Sequence, residues 1–266
     1  EITVKDGRAT GVVLESGEEI EATHVLASTD ARRTFLGLLP SGTLPPDFEA
    51  DIKRFRYRGS SGTVNLALDG LPSFTSLPGP GEHLRGAISF SPSIDYMETA
   101  YDDAKSGRFS RKPYIDMIIP TLVDPTMAPP GKHVMSCFVH WAPYHLAEDQ
   151  GTWDDQREAF GDAVIDVIAE RAPNIRDIIL HRQVVTPLDM ERDIGLTEGN
   201  IFQGELTLEQ LFFNRPVPGW ARFETPVDNL WLSGSSTHPG GGIMGANGRL
   251  AALKVLEQMK RKGGAA

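Results

Sequence analysis

The stretch from Asn229 to Leu250, NLWLSGSSTHPGGGIMGANGRL, constrains the fold more than any other part of this chain. Leu230 to Leu232 form a short apolar run typical of a buried strand, Ser233 to Gly242 form a loop, and a helix-forming run follows. A strand, a glycine-rich loop and a helix N-terminus together present backbone N–H groups and a helix dipole to an anionic group. From the loop alone, contact with a phosphate or cofactor and a purely structural turn are equally supported.

Two common site motifs do not describe this loop. No Gly-Lys-Ser/Thr follows it, which excludes a Walker-type phosphate loop, and the run Gly234 to His238 lacks the second glycine of G-x-S-x-G. His238, which precedes Pro239, is a candidate catalytic base, although a histidine in such a loop more often orients backbone through hydrogen bonds.

Composition and charge narrow the class of protein. The 266 residues are 40% hydrophobic and 23% charged, which is typical of a globular chain with one large domain or two modest ones. The formal net charge of −10 argues against nucleic acid as a partner, and no apolar run reaches the length of a membrane span. The single cysteine, Cys137, excludes an internal disulfide and fits a reducing compartment, for which we take the cytoplasm.

The chain opens within a strand pattern rather than before one. From Glu1 onward, alternating residues over 2–28 predict strands joined by tight turns, so we expect a fragment of a longer protein. Asp30 is a plausible N-cap for a helix over 31–39, and the prolines over 40–46 predict a loop.

Further elements follow from periodicity. A helix is predicted over 154–171, where Thr152 and Asp155 have capping-box spacing, and the last helix over Ile243 to Lys262, ending at Gly263-Gly264. The passage 186–228 is mostly irregular, and a run of that length is usually functional. Strands are predicted at 61–69, 86–90, 114–120, 133–141 and 178–185.

The histidines His133, His140 and His145 lie near one another in sequence. A zinc site would need another ligand in suitable geometry, and alternation places His133 and His140 on opposite faces of one strand, so no metal site is predicted. Cys137 lies between them in an apolar strand and is most simply a core residue.

The aromatic residues Phe212, Phe213 and Trp220 either line a substrate pocket or fill the core, and the core is the more common place for such residues. Arg215 begins a rigid Pro-rich loop beside them.

A family resemblance adds to these patterns. The run Leu230 to Arg249 resembles the C-terminal flavin-binding motif of phytoene-desaturase-like FAD-dependent oxidoreductases. The run Gly199 to Gly219, GNIFQGELTLEQLFFNRPVPG, is similar to the branch of pyridine nucleotide-disulfide oxidoreductase domain-containing proteins. The strands over 8–28 resemble the segment leading into that family's substrate domain. The family's N-terminal G-x-G-x-x-G has no counterpart in this chain.

The resemblance implies an α+β or α/β fold. It combines a mixed β-sheet substrate domain with flanking helices and the strand, loop and helix that complete an FAD-binding domain, without that domain's N-terminal Rossmann part. The implied domains are residues 1–30 as part of the FAD-binding domain, 31–198 as the substrate domain, and 199–266 as the return to the FAD-binding domain.

The resemblance also implies a cofactor, FAD, and residues that contact it. Backbone N–H groups from Gly240 to Met244 would face the flavin pyrimidine edge or ribityl chain, and the substrate-domain sheet with the loop 199–220 would form the pocket. The implied cofactor-binding residues are Gly234, Ser235, His238, Pro239, Gly240, Gly241, Gly242, Ile243 and Met244, and the implied pocket residues are Phe212, Phe213, Arg215 and Trp220.

The implied activity is hydride transfer between a small organic substrate and flavin N5, with an N-terminal Rossmann half as the partner of this chain. The substrate is apolar if the chemistry is carotenoid-like. The competing hypothesis is a non-catalytic binding or assembly module, or an isolated substrate domain that does not bind FAD by itself. Homo-oligomers and membrane contact are left open by these patterns.

Overall fold

The computed structural model describes the backbone of residues 1–263, which contain both strands and helices. The ten strands among these residues are β1 Ile2–Lys5, β2 Arg8–Val13, β3 Glu19–Glu21, β4 Val25–Ala27, β5 Ser61–Leu68, β6 Ile88–Phe90, β7 Tyr114–Ile118, β8 His133–His140, β9 Ile179–Val185 and β10 Leu230–Leu232. The α-helices of the same residues are α1 Pro46–Arg54, α2 Ile94–Lys105, α3 Trp153–Ala169, α4 Ile175–Ile178, α5 Pro187–Asp189 and α6 Ala246–Gly263.

The chain folds into two compact units. The first unit contains residues 1–58 and the chain from 195 onward, and the second contains residues 59–194. The sequence-based boundary after residue 30 therefore differs from the structural division, which follows residue 58. Residues 31–58 belong to the first unit because Phe35, Phe48 and Ile52 are buried in one core with Ile2 and Leu230. The assignment of the two units to FAD and to substrate stays a prediction.

The first unit contains two small sheets. β1, β2 and β3 form the antiparallel meander that the alternation predicts, with Asp6 and Gly7 at positive φ in its first turn. β4 and β10 pair in parallel, with Val25 opposite Leu230 and Ala27 opposite Leu232. All three residues of β10 are buried, as their apolar character predicts.

The last helix begins later than its sequence predicts. α6 begins at Ala246 rather than Ile243, because Gly245 has a φ of 64° and Ile243 and Met244 are exposed parts of the preceding loop. The helix runs to Gly263, and Gly264, the second glycine of the predicted end, lies outside the described residues.

The second unit is built on one five-stranded sheet of order β6-β7-β8-β5-β9. Every pairing in it is antiparallel, so the predicted mixed sheet is wrong for this unit, and the parallel pairing lies in the first unit instead. The reason is the connectivity, since β7 reverses into β8 through the compact segment 119–132. One face of the sheet packs on α3, where Val64, Leu66, Cys137, Phe160 and Val164 are buried together.

The N-termini of the helices agree with the sequence prediction to different extents. α3 begins with the predicted capping box, in which the Thr152 side chain accepts from the Asp155 backbone and the Asp155 carboxylate accepts from the Thr152 backbone. The loop predicted from the prolines over 40–46 is partly wrong, because Pro46 occupies the first turn of α1. A proline is tolerated there, since the N–H groups of the first helical turn have no partner within the helix. α2 was not predicted, although Ser93 caps it by accepting from Tyr96 N.

Across residues 1–263, none of the helices combines the length and apolar composition that a membrane crossing requires.

Candidate functional site

The candidate site is the glycine loop, defined here as residues 233–245. It leaves the carboxyl end of β10 and leads into the N-terminus of α6. Ser233 N donates to Ala27 O at 2.8 Å, which continues the parallel pairing of β10 and β4 to the start of the loop. The carboxyl ends of parallel strands are where open α/β sheets bind ligands.

Two neighbouring residues, Asn247 and Gln203, hold the glycine loop in place, and the sequence singles out neither. Asn247, buried in the first turn of α6, donates through Nδ2 to Thr237 O at 2.9 Å and to His238 O at 3.3 Å. Gln203 accepts at its backbone oxygen from Ser236 Oγ at 2.6 Å, and Ser236 Oγ accepts in turn from Ala31 N at 3.0 Å. The signal for Asn247 was its place just after Gly245-Ala246, where an amide can reach back to the loop.

Arg215 lies inside the fold and not in an open pocket. Its side chain is 0% exposed. Its guanidinium donates to six backbone carbonyl oxygens, which belong to Phe202 at 2.7 Å, Ser235 at 2.8 Å, Glu205 at 3.0 Å, Gln210 at 3.1 Å, Gly204 at 3.2 Å and Gln203 at 3.4 Å. Burial lowers the pKa of Arg215 to about 10, so it is still protonated at neutral pH. Since these carbonyls use its N–H groups, Arg215 joins the loop 202–210 to the glycine loop.

The other predicted pocket residues are separated from one another. Phe213 is 80% exposed, and its ring is parallel to the His238 ring at 6.2 Å. Phe212 is also exposed, at a φ of 51°. Trp220 packs edge-on against Phe48 at 5.2 Å at the margin of the first unit's core. The structure thus brings Phe213 and His238 together, while Trp220 and Arg215 serve the fold.

The glycine loop becomes exposed to solvent in its second half. Gly240 is buried, whereas Gly242, Ile243 and Met244 are exposed. Among residues 1–263, no acceptor pairs with the backbone N–H groups of residues 240–245. These donors precede the N-terminus of α6, so the segment favours a ligand with negative charge or acceptor atoms.

Gly241 has a steric reason to lack a side chain. A Cβ at this position would lie 2.5 Å from Phe202 Cδ1 and 2.9 Å from Phe202 Cα, so a larger residue would displace the loop. On the other side of the loop, Gly234 O accepts from Thr237 N at 3.1 Å, and the His238–Pro239 peptide is cis.

His238 is half-buried, and its Nδ1 has no hydrogen-bond partner among the described residues. Its backbone oxygen is held by Asn247, so the residue is positioned by its main chain and by the ring of Phe213. No carboxylate orients the imidazole within residues 1–263, which distinguishes it from the histidine of a catalytic triad.

The remaining candidates from the sequence lie in the second unit. No group of three potential metal ligands occurs within residues 1–263. His133 Nδ1 pairs with Thr121 Oγ1 at 3.0 Å. Cys137 is a core residue, as predicted, and burial raises the pKa of its thiol to about 12.

β4 and β10 form a parallel strand pair, with the glycine loop and the N-terminus of α6 at its carboxyl end, as in α/β folds. The comparisons with known proteins agree with the resemblance inferred from the motifs. Over 262 residues the chain is 41% identical to pyridine nucleotide-disulfide oxidoreductase domain-containing protein 2 of Mus musculus, covering 96% of this chain and 45% of that protein. It is 30% identical to the neurosporene-forming phytoene desaturase of Cereibacter sphaeroides, covering 96% of this chain and 47% of that enzyme.

The chain therefore spans about half the length of these relatives and matches their C-terminal half. An oxidoreductase from Methanosarcina mazei has a similar fold, with a TM-score of 0.58 and 19% identity over 97% of this chain and 48% of its own. No family model matches the chain. The resemblance of this chain to the C-terminal half of phytoene-desaturase-like oxidoreductases is thereby confirmed.

Proposed function

We propose that this chain is the C-terminal part of an FAD-dependent oxidoreductase in which the glycine loop binds the flavin. The observation that carries the proposal is the row of backbone N–H groups over 240–245 that pair with no acceptor among residues 1–263 and that precede the N-terminus of α6. The flavin of such an enzyme has acceptor atoms on its pyrimidine edge and becomes negatively charged when reduced, so these donors fit it. When bound, FAD would supply the chemistry by accepting a hydride from the substrate.

The residues of this chain would bind the flavin and orient it. The N–H groups of Gly241 to Met244 would stabilise negative charge on the flavin, and the glycines would let the backbone approach it closely. His238 and Phe213, whose rings are parallel, would shape the wall beside it. Arg215 and Asn247 would fix the loop from behind through their contacts with Ser235 and with Thr237 and His238.

We further propose that the first unit binds FAD and that the second unit binds the substrate, as the resemblance implies. A two-stranded parallel sheet such as β4–β10 is normally part of a larger sheet. An N-terminal Rossmann half, which the length of the relatives allows, would supply the missing strands and the nucleotide site.

The test is Gly241→Val in the full-length protein that carries this chain. We expect the variant to lose bound flavin, because a valine cannot fit against Phe202 without moving the loop. The measurement is the flavin absorbance near 450 nm per protein after gel filtration. The matched control is Gly86→Val, where a Cβ meets nothing within 4 Å.

Undiminished flavin in Gly241→Val would reject the glycine loop as the flavin site. Absence of flavin from the unmodified full-length protein would favour the competing function, a binding or assembly module.

A further inference from the structure

The five-stranded sheet of the second unit has a polar face opposite α3. A Cβ on Gly62 would lie 2.8 Å from Phe160 Cε1, so the even-numbered residues of β5 point to α3 and the odd-numbered ones point away. The register then places their cross-strand partners on the same side. We define the polar face by the six residues Asn65, Tyr114, Asp116, Ser136, Phe138 and His140.

The charge on the strand residues of this side is negative. Asp116 is the one carboxylate among them, and none of these described strand residues is a lysine or arginine. The Asp116 carboxylate accepts from Tyr114 OH at 2.6 Å and from the Ser89 hydroxyl. Both donors are neutral hydroxyls, and the hydrogen bond to Asp116 raises the pKa of Tyr114. The carboxylate therefore has no cationic partner on this face.

Aromatic residues occupy neighbouring positions of the sheet on this face. Asp116 lies directly opposite Phe138, and Tyr114 lies opposite His140. The His140 ring is 4.6 Å from Phe138, 5.8 Å from Tyr114 and 4.9 Å from Trp141. Burial lowers the pKa of His140, so its imidazole is neutral at physiological pH. Aromatic faces beside a carboxylate attract organic cations and disfavour anions.

Two buried polar atoms of the adjacent residues His140 and Trp141 have no partner among the described residues. Within residues 1–263, His140 Nδ1 and Trp141 Nε1 make no hydrogen bond. Buried polar groups are normally paired, so unpaired polar atoms on two adjacent residues are typical of a site that a polar ligand or ordered water completes.

We propose that the polar face binds an organic amine whose ammonium group pairs with Asp116 and whose apolar part lies against Tyr114 and Phe138. The proposal rests on the proposed function, because it names the substrate class of the same oxidoreductase. It replaces the apolar substrate that carotenoid-like chemistry would imply. A hydrocarbon on this face would remove water from Asp116, Asn65 and Ser136 without replacing its hydrogen bonds.

The experiment compares three ligands of one shape and different charge: 3-phenylpropylamine, 3-phenylpropan-1-ol and 3-phenylpropionate. Each is titrated at pH 7.5 into the 266-residue chain without flavin, and the affinity is measured by isothermal titration calorimetry. We expect the amine to bind about tenfold more tightly than the alcohol, as a charge-assisted hydrogen bond to Asp116 would give, and the carboxylate not to bind.

Asp116→Asn should remove the preference for the amine, whereas Asp124→Asn, an exposed aspartate outside the sheet, should keep it. If Asp116→Asn does not fold by circular dichroism, Ser136→Lys places a cation on the same face and should also remove the preference. Equal affinity of amine and alcohol for the unmodified chain, or an unchanged preference in the folded face variant, would overturn the proposal. The flavin retention test of Gly241→Val is read separately, so failure of the substrate class and failure of the flavin site are distinguishable.

Discussion

Arg215 shows how much a single side chain contributes to the candidate site. Replacing it by methionine keeps much of the apolar stem but leaves the buried or partly buried carbonyls of Phe202, Ser235 and Gln210 without this donor. Each unsatisfied buried group costs about 1–3 kcal/mol, so we expect Arg215→Met to lower the free energy of unfolding by about 3 kcal/mol or more. Urea unfolding measures it, with the exposed Arg222→Met as the control. Equal stability of the two variants would contradict the structural role.

The same residue shows why side-chain roles were hard to predict at this scale. In the sequence, Arg215 stands beside Phe212 and Phe213 and suggests a pocket. Its six partners lie 5 to 20 residues away along the chain, and only the folded loops bring their carbonyls to one point. By contrast, Cys137 could be assigned to the core from its own strand, because alternation by itself gives the buried side.

At the scale of elements, the capping-box spacing of Thr152 and Asp155 predicts the start of α3 correctly. The α3 N-terminus is closed by Thr152 and Asp155, and the bonds from Thr152 lower the pKa of Asp155. We expect Thr152→Ala to cost about 1 kcal/mol of stability, as lost N-caps do. Thermal or urea unfolding measures it, and Thr99→Ala on the exposed side of α2 is the matched control. A cost for Thr152→Ala no larger than that of Thr99→Ala would reject the cap's contribution.

Elements without such signals were missed or shifted. α1 begins at a proline that suggested a loop, and α6 begins three residues late because Gly245 adopts a left-handed conformation. Residue propensity does not predict this left-handed conformation, because glycine adopts positive and negative φ angles about equally readily.

At the scale of the whole molecule, the second unit is continuous in sequence while the first is not. The core from Val64 to Val184 lies entirely within residues 59–194, so we expect the fragment 59–194 to fold alone with a cooperative urea transition. The fragment 1–58 should not, because β4 needs β10, which lies at 230–232. Circular dichroism during urea titration measures both, and a gradual, non-cooperative loss of signal from 59–194 would contradict the division.

The sequence by itself determined the features that depend on neighbouring residues. These are the buried β10, the glycine loop before a helix, the capping box of α3, the alternation of β5 and β8, and the motifs whose resemblance the relatives confirm. The tertiary structure decided what depends on distant segments. It placed residues 31–58 in the first unit, the carbonyls around Arg215, and Asp116 opposite Phe138 on a face without cations. The physical reason is that periodicity specifies which side of an element is buried, whereas strand register and loop packing select the partners that meet there.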